Sequence, residues 1–359
     1  MNKTLVFGVI ASLFMVAADG PPAANQTTRT ESQIFVMDQV YKSMFGPNDT
    51  DQMTLLSTAV PEVLWVTAIE AKIVGGDGET PESPEYFCHS VFANLNSQPT
   101  YQRKVLKRRR PGLASKLFTL VQGVTEIRFP DGYGMPVLSN DQFASHVMVM
   151  NPTERDHPVE VGVDSEIEFV RSSDLRRKMK PLVLLPLVTK VPVEDEHVDH
   201  SAHQHGGDQT CLATDEDVAV SVDRAQETGS PVTVSKAGIK ETGHWYVPPG
   251  RHVYRHRLER LGLGADTTAH HIYAHLHPFG ESLELIDLTT GETVFKAEAN
   301  NYSDHVAVER ISQYSSQDGL LIHRDHDYEI VAVYNNTTNH DVDSMAVMYL
   351  YLLDPRFSG

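Results

Sequence analysis

Positive charge, cysteine and long apolar runs are all scarce in this chain of 359 residues. Lys and Arg number 30 against 48 Asp and Glu, a formal charge of -18. A phosphate backbone is bound by a basic surface, so nucleic acid is excluded as the main partner. Beyond the N-terminus the longest apolar run is Pro181 to Val188, far too short to span a bilayer. Repeated helical crossovers are missing as well, which excludes a parallel βαβ architecture. With 2 cysteines, one disulfide is the most the chain can close on itself. What the chain does have is 40% hydrophobic residues, enough for packed cores, and a length that predicts two domains of about 150 residues each.

The first residues place Lys3 before an apolar run from Leu5 to Val16, followed by Ala17 and Ala18. This reads as a cleavable signal peptide over residues 1–18, so the mature protein is expected to be exported, secreted or periplasmic, without a membrane span. In an oxidising compartment Cys88 and Cys211 are candidates for a disulfide, which on the chain-entropy model contributes about 4 to 5 kcal/mol. The competing reading makes Cys88, beside His89, a metal ligand.

Residues 19–50 form a polar lead-in, with a short helix expected over Ser32 to Phe45. Alternating runs such as Val63 to Thr67, Glu126 to Phe129 and Glu166 to Val170 are separated by Gly, Pro, Asn and Asp clusters. That pattern predicts an all-β protein of two consecutive antiparallel β-sandwich domains, jelly-roll-like, over residues 51–194 and 244–359. An acidic, His-rich stretch with little apolar content joins them over 195–243. It carries His197, His200, His203 and His205, at spacings that fit no rigid tetrahedral site, and reads as a solvated loop or a loose metal-capture tract. The basic cluster Lys104 to Arg110 reads as a solvated turn.

His270 to Gly280 is the most informative segment. If His275 and His277 end a strand, the period of two puts both imidazoles on one face, a ready pair of ligands for Cu or Zn. A hairpin is predicted after Gly280, turning at Thr290-Gly291, and a terminal strand runs through Asp343 to Tyr351.

This H-x-H, its following turn and the terminal Met strand, in that order, resemble the second domain of the copper type II, ascorbate-dependent monooxygenases. The resemblance implies a copper site of His275, His277 and Met345, with Met348 as the rival for the third position. In the first domain Cys88-His89 stands where the family has two adjacent histidines, so its three-imidazole copper is not reproduced; His89 with His146 or Met150 is the remnant the resemblance leaves, with Met148 on the same strand face as His146, and the other reading is a sandwich core that has lost its metal. The resemblance also implies O2 activation to hydroxylate a C–H bond of a small-molecule or peptide substrate, with ascorbate or another reductant supplying electrons. Tyr273 and Val347 stand where the peptide-processing member has an Arg and an Asn, so a peptidyl-glycine carboxylate loses its charged partner. The reading of another class is a non-catalytic exported protein of the same fold that binds or stores copper, or contacts other proteins.

Overall fold

The computed structural model describes residues 25–41, 45–96, 116–153, 156–192, 233–235 and 238–354. The leader, the basic cluster, the four histidines His197 to His205 and Cys211 all lie outside the described residues.

The chain is built of β-strands, with no α-helix among the described residues and none long and apolar enough to cross a membrane. Eight strands wind into a first sandwich. One sheet orders Gln26–Glu31, Val159–Arg171, Val63–Gly75 and Tyr133–Leu138; the other orders Asn48–Met53, Phe143–Val149, Phe87–Asn94 and Lys116–Val121. Numbered along the chain, these orders are first, eighth, third, sixth and second, seventh, fourth, fifth, which is jelly-roll wiring. The second sandwich repeats it. His244–Val247, Val342–Leu353, Thr267–Leu276 and Tyr314–Ile322 make one sheet, opposed by Gly250–Glu259, Tyr328–Asn336, Gly280–Asp287 and Glu292–Asn301, with Val308–Ile311 at its edge. The repeat lies in the pairing order, so residue similarity along the chain does not reveal it.

The expected short helix over Ser32 to Phe45 is not there. Phe35–Met37 is a strand paired with Val159 to Val161, and its burial alternates, with Phe35 and Met37 inside and Val36 exposed. Tertiary pairing overrides the weak local preference. Short strands Thr233–Val234 and Lys240–Thr242 also occupy part of the stretch expected to be loop. The hairpin after Gly280 forms as expected, Gly280–Asp287 against Glu292–Asn301 around Gly291, whose φ of 77° is the left-handed turn position that suits glycine.

The strand Lys180–Val188 couples the sandwiches. It pairs antiparallel with Val342–Leu353 and, at Lys180 and Pro181, parallel with Tyr133 and Gly134, so one sheet runs from the first sandwich into the second. That sheet folds back over the outer face of the first sandwich. Tyr351 donates its hydroxyl to the Leu117 carbonyl at 3.0 Å, and Tyr273 donates to the Thr119 carbonyl at 2.8 Å. Consequently every residue of Phe87–Asn94, Lys116–Val121 and Phe143–Val149 is buried, because both faces of that sheet are covered. Nearly unbroken apolar runs such as Lys-Leu-Phe-Thr-Leu-Val are the sequence form such strands take. Polar contacts seal the junction: Gln122 donates to the Glu85 carbonyl and accepts from the Val308 N–H, and the Ile311 N–H donates to the Gly123 carbonyl. A single apolar core extends through both sandwiches.

Candidate metal centre

Strand register decides which side chains of the second sandwich meet. On Val342–Leu353, His244 is the direct partner of Met345 from one side and His275 the partner of Val347 from the other. Direct antiparallel partners share a face, as do alternate residues of one strand. Asp343, Met345, Val347, His244 and His275 therefore lie on one face, with His277 next in step just past its strand's end. Met348, the rival to Met345, pairs with Ala274 and belongs to the opposite face, inside the second sandwich.

His277 is fixed by its surroundings. Its N–H donates to the Tyr334 hydroxyl at 3.3 Å, and its carbonyl accepts from the Gly280 N–H at 3.1 Å in a tight turn. Inside that turn Phe279 has a φ of 70°, uncommon for a bulky residue. It is held there because its N–H donates to the Asn301 side chain and its carbonyl accepts from the Asn335 N–H. His277 Nδ1 lies 3.3 Å from an Asp343 carboxylate oxygen, the arrangement that orients an imidazole for ligation through its other nitrogen. The ring centres of His275 and His277 are 5.0 Å apart, and those of His244 and His277 5.8 Å. Two imidazoles on one tetrahedral ion stand with ring centres about 5 Å apart, given metal–nitrogen bonds of about 2 Å.

Met345, His275 and His277 are buried, at 0%, 5% and 2% exposure. Both ring nitrogens of His275 are buried without a hydrogen-bond partner. Such orphaned polar atoms are rare and each requires a cause. Burial, then the imidazoles of His277, His89 and His244, hold His275 well below the usual histidine range, so it is an electron-pair donor at neutral pH. His277 is displaced the other way. Burial opposes its charge, but the Asp343 carboxylate, with Cys88, more than offsets that.

The first-sandwich candidates also share a face. His89 pairs with Met148 and Val91 with His146, so both histidines and Met148 project together. The His89 and His146 ring centres are 5.7 Å apart, and Thr50 Oγ1 holds His146 Nδ1 at 2.8 Å. Cys88 sits at the bulge before His89, its Sγ 3.3 Å from His89 Nδ1, and forms a small apolar cluster with Met148 and Met150. The Cys211 end of the expected disulfide lies outside the described residues.

Two tyrosine hydroxyls join the sheet that carries His275 to the sheet that carries His89. Tyr351, the partner of His271, meets Leu117, and Tyr273 meets Thr119. Val121, two residues beyond Thr119, is the strand partner of His89. As they stand, no three His, Cys, Asp or Glu side chains among the described residues are arranged to hold a metal ion together.

Sequence reasoning missed two members. His244, read as structural or surface by default, enters the face only through pairing with Met345, about a hundred residues away, a relation that no local pattern carries. Asp343 was visible as the start of the terminal strand, and its place two residues before Met345 was the available signal. Beside the histidines, Tyr273 and Tyr349 stack with ring centres 4.9 Å apart and are both buried.

No known family matches the chain by sequence, and no curated protein does. Among solved structures it is similar in outline to the STIV MCP, at 10% identity and a TM-score of 0.32, covering 91% of this chain and 98% of that one. It is also similar to infectious bursal virus derived T=1 particles, at 10% identity and a TM-score of 0.19 over 94% of this chain and 73% of that one. A pro-11S globulin of pumpkin follows at 11% identity and a TM-score of 0.15, covering 89% and 83%. Likenesses this distant say nothing about what the chain binds.

Proposed function

We propose that the chain is an exported copper-binding protein that holds Cu(I) through His275, His277 and Met345. The observation that carries this reading is His275: a neutral imidazole, buried, with neither nitrogen hydrogen-bonded, on one face with a second imidazole oriented by a carboxylate and with a thioether. Two imidazoles and a soft thioether suit Cu(I) better than zinc, which rarely takes methionine. His275 and His277 would bind the metal, and Met345 would favour its reduced state.

Storage or binding is favoured over turnover. The space beside the H-x-H, which a substrate would have to occupy, is filled by the Tyr273–Tyr349 stack, and the Tyr273 hydroxyl is tied to the Thr119 carbonyl. Copper would supply affinity for a soft donor set, with no substrate step required.

The test is titration of the reduced, full-length protein with Cu(I) against a chromogenic chelator. His275→Ala and Met345→Ala should each weaken binding by about tenfold or more, taking the scale of ligand-shell losses. Cu(I) affinity unchanged in a His275→Ala/His277→Ala double variant removes the reading. Ascorbate-driven O2 uptake by the copper-loaded protein would instead restore the monooxygenase reading.

A further inference from the structure

The strand Thr267–Leu276 carries one residue that neither neighbouring strand pairs. Ala269 and His271 stand opposite Leu352 and Tyr351 on one side and opposite Leu320 and Ser315 on the other, so both ladders pass over His270. On the second side residues 316–319 leave the ladder and close on the His270 ring. A bulge of this kind re-aims a side chain. We propose that His270 is the sensor of an acid-released latch, through which the excursion 316–319 grips the first sandwich and lets it go when the imidazole is protonated. The latch is independent of what the chain binds.

The ring is held by both nitrogens. Nδ1 lies 3.0 Å from the Ser316 carbonyl and Nε2 2.7 Å from Thr268 Oγ1. A carbonyl only accepts, so the hydrogen of the neutral ring sits on Nδ1, and Nε2 accepts from the threonine hydroxyl. Gly319 permits the closure: its φ is 73°, and a Cβ there would stand 2.8 Å from His270 Cε1 and 2.9 Å from Thr268 Cβ. The first sandwich enters through Tyr133, whose ring stacks on the imidazole with centres 4.1 Å apart and whose hydroxyl donates to the Gln317 carbonyl at 2.9 Å. Lys180, at the start of the coupling strand, donates to the Tyr133 oxygen at 3.0 Å, with its ammonium 4.8 Å from the ring centre. Both sandwiches and the strand between them therefore meet on one buried imidazole.

Protonation works against this arrangement. Nε2 becomes a donor, so the Thr268 hydroxyl must turn and its own hydrogen loses its acceptor. The groups that bear on the new charge are Tyr133 and Lys180 from the first sandwich and the coupling strand, and Ser316 and Asp318 from the excursion. Burial holds His270 below its ordinary 6.5; the Ser316 carbonyl opposes that, the Lys180 ammonium adds to it and the Asp318 carboxylate opposes it. The closed latch thus prefers the neutral ring. Its hold is complete above the ordinary histidine value and is lost as pH falls below it. Once the excursion swings out, the charged ring is solvated, and Tyr133 loses both its stacking partner and the Gln317 carbonyl. A ring that charges freely in the open state alone raises the open population at pH 5 by at most about thirtyfold.

The test is amide hydrogen exchange of the metal-free, full-length protein at pH 7.5 and pH 5, with each rate divided by that of an unstructured chain at the same pH. Protection over Tyr314–Ile322 and Tyr133–Leu138 should fall by about tenfold between the two, and by less over Gly280–Asp287 in the opposing sheet. His270→Phe keeps a ring against Tyr133 and cannot titrate, so protection at the joint should be equal at both pH values. Lys180→Met removes the opposing ammonium and leaves His270 in place, which should shrink the fall. Protection at the joint that does not change with pH in the wild type overturns the latch. A fall of the same size over Gly280–Asp287 also overturns it, because the whole fold is then loosening, and so does an undiminished fall in His270→Phe, which assigns the proton to another group. If His270→Phe leaves the joint unprotected at both pH values, Lys180→Met decides: a fall as large as that of the wild type overturns the latch, and a smaller one supports it.

Discussion

Acid should loosen this fold through histidines that it buries in the uncharged form. Burial pushes His271 down to about 4 from an ordinary 6.5, with Gln313 offsetting a little. Between those values the unfolded chain binds a proton that the folded chain refuses, so stability falls as pH falls across that window. The gap corresponds to about 3 kcal/mol when fully developed below pH 4, and to about 2 kcal/mol at pH 5. His275 acts in the same direction. His277, raised by Asp343, acts in the opposite one: its contribution is complete at low pH and is lost as pH rises through its folded value. The perturbation to make is His271→Phe in metal-free protein, because the ring packs edge-on against Phe129 and Tyr351 and a phenyl group retains that contact. Urea unfolding at pH 7.5, 6 and 5 should show the variant losing about 2 kcal/mol less than the wild type between the extremes, with m unchanged. Carboxylates that titrate lower affect both proteins alike and cancel in the difference. A wild-type-minus-variant difference that stays constant with pH refutes the assignment of a buried neutral His271.

Two further predictions address the junction. Tyr273→Phe removes the hydroxyl that donates to the Thr119 carbonyl, and leaving that buried carbonyl without this donor should cost about 1 to 3 kcal/mol in urea unfolding; an unchanged midpoint would mean the hydrogen bond is not made in solution. Gly123 and Gly132 both have a φ of 82°, so alanine is strained at either, but at Gly123 the added carbon meets Val308 Cγ1 at 2.8 Å and at Gly132 nothing lies within 4 Å. Gly123→Ala should therefore destabilise by more than the about 1 kcal/mol of backbone strain expected at Gly132→Ala; equal melting temperatures for the two variants would contradict the close packing of the sandwiches there.

Legibility in the sequence followed the physics of burial. Strands with one wet face, such as Val159–Arg171 and Gly280–Asp287, alternate and were readable as strands of a sandwich. The doubly covered sheet carrying His89 and His146 has no wet face, so its histidines stand in apolar runs and no pattern shows what they face. The shared face of His275 and His277 was legible because their relation is local, a period of two on one strand, whereas Met345 was named through the family resemblance and not through any local pattern. His244 was not legible, because its place beside Met345 depends on pairing across the sequence.

The same limit explains why the two ligand sets read as two sites. Along the chain Cys88-His89 and His275-x-His277 lie in different domains, and a family with one copper per domain is the natural analogy. The strand Lys180–Val188 changes their relation, since it extends one sheet across both sandwiches and folds the second onto the first. Where the two histidine sets stand relative to each other is therefore set by strand pairing between distant parts of the chain, which no local pattern carries.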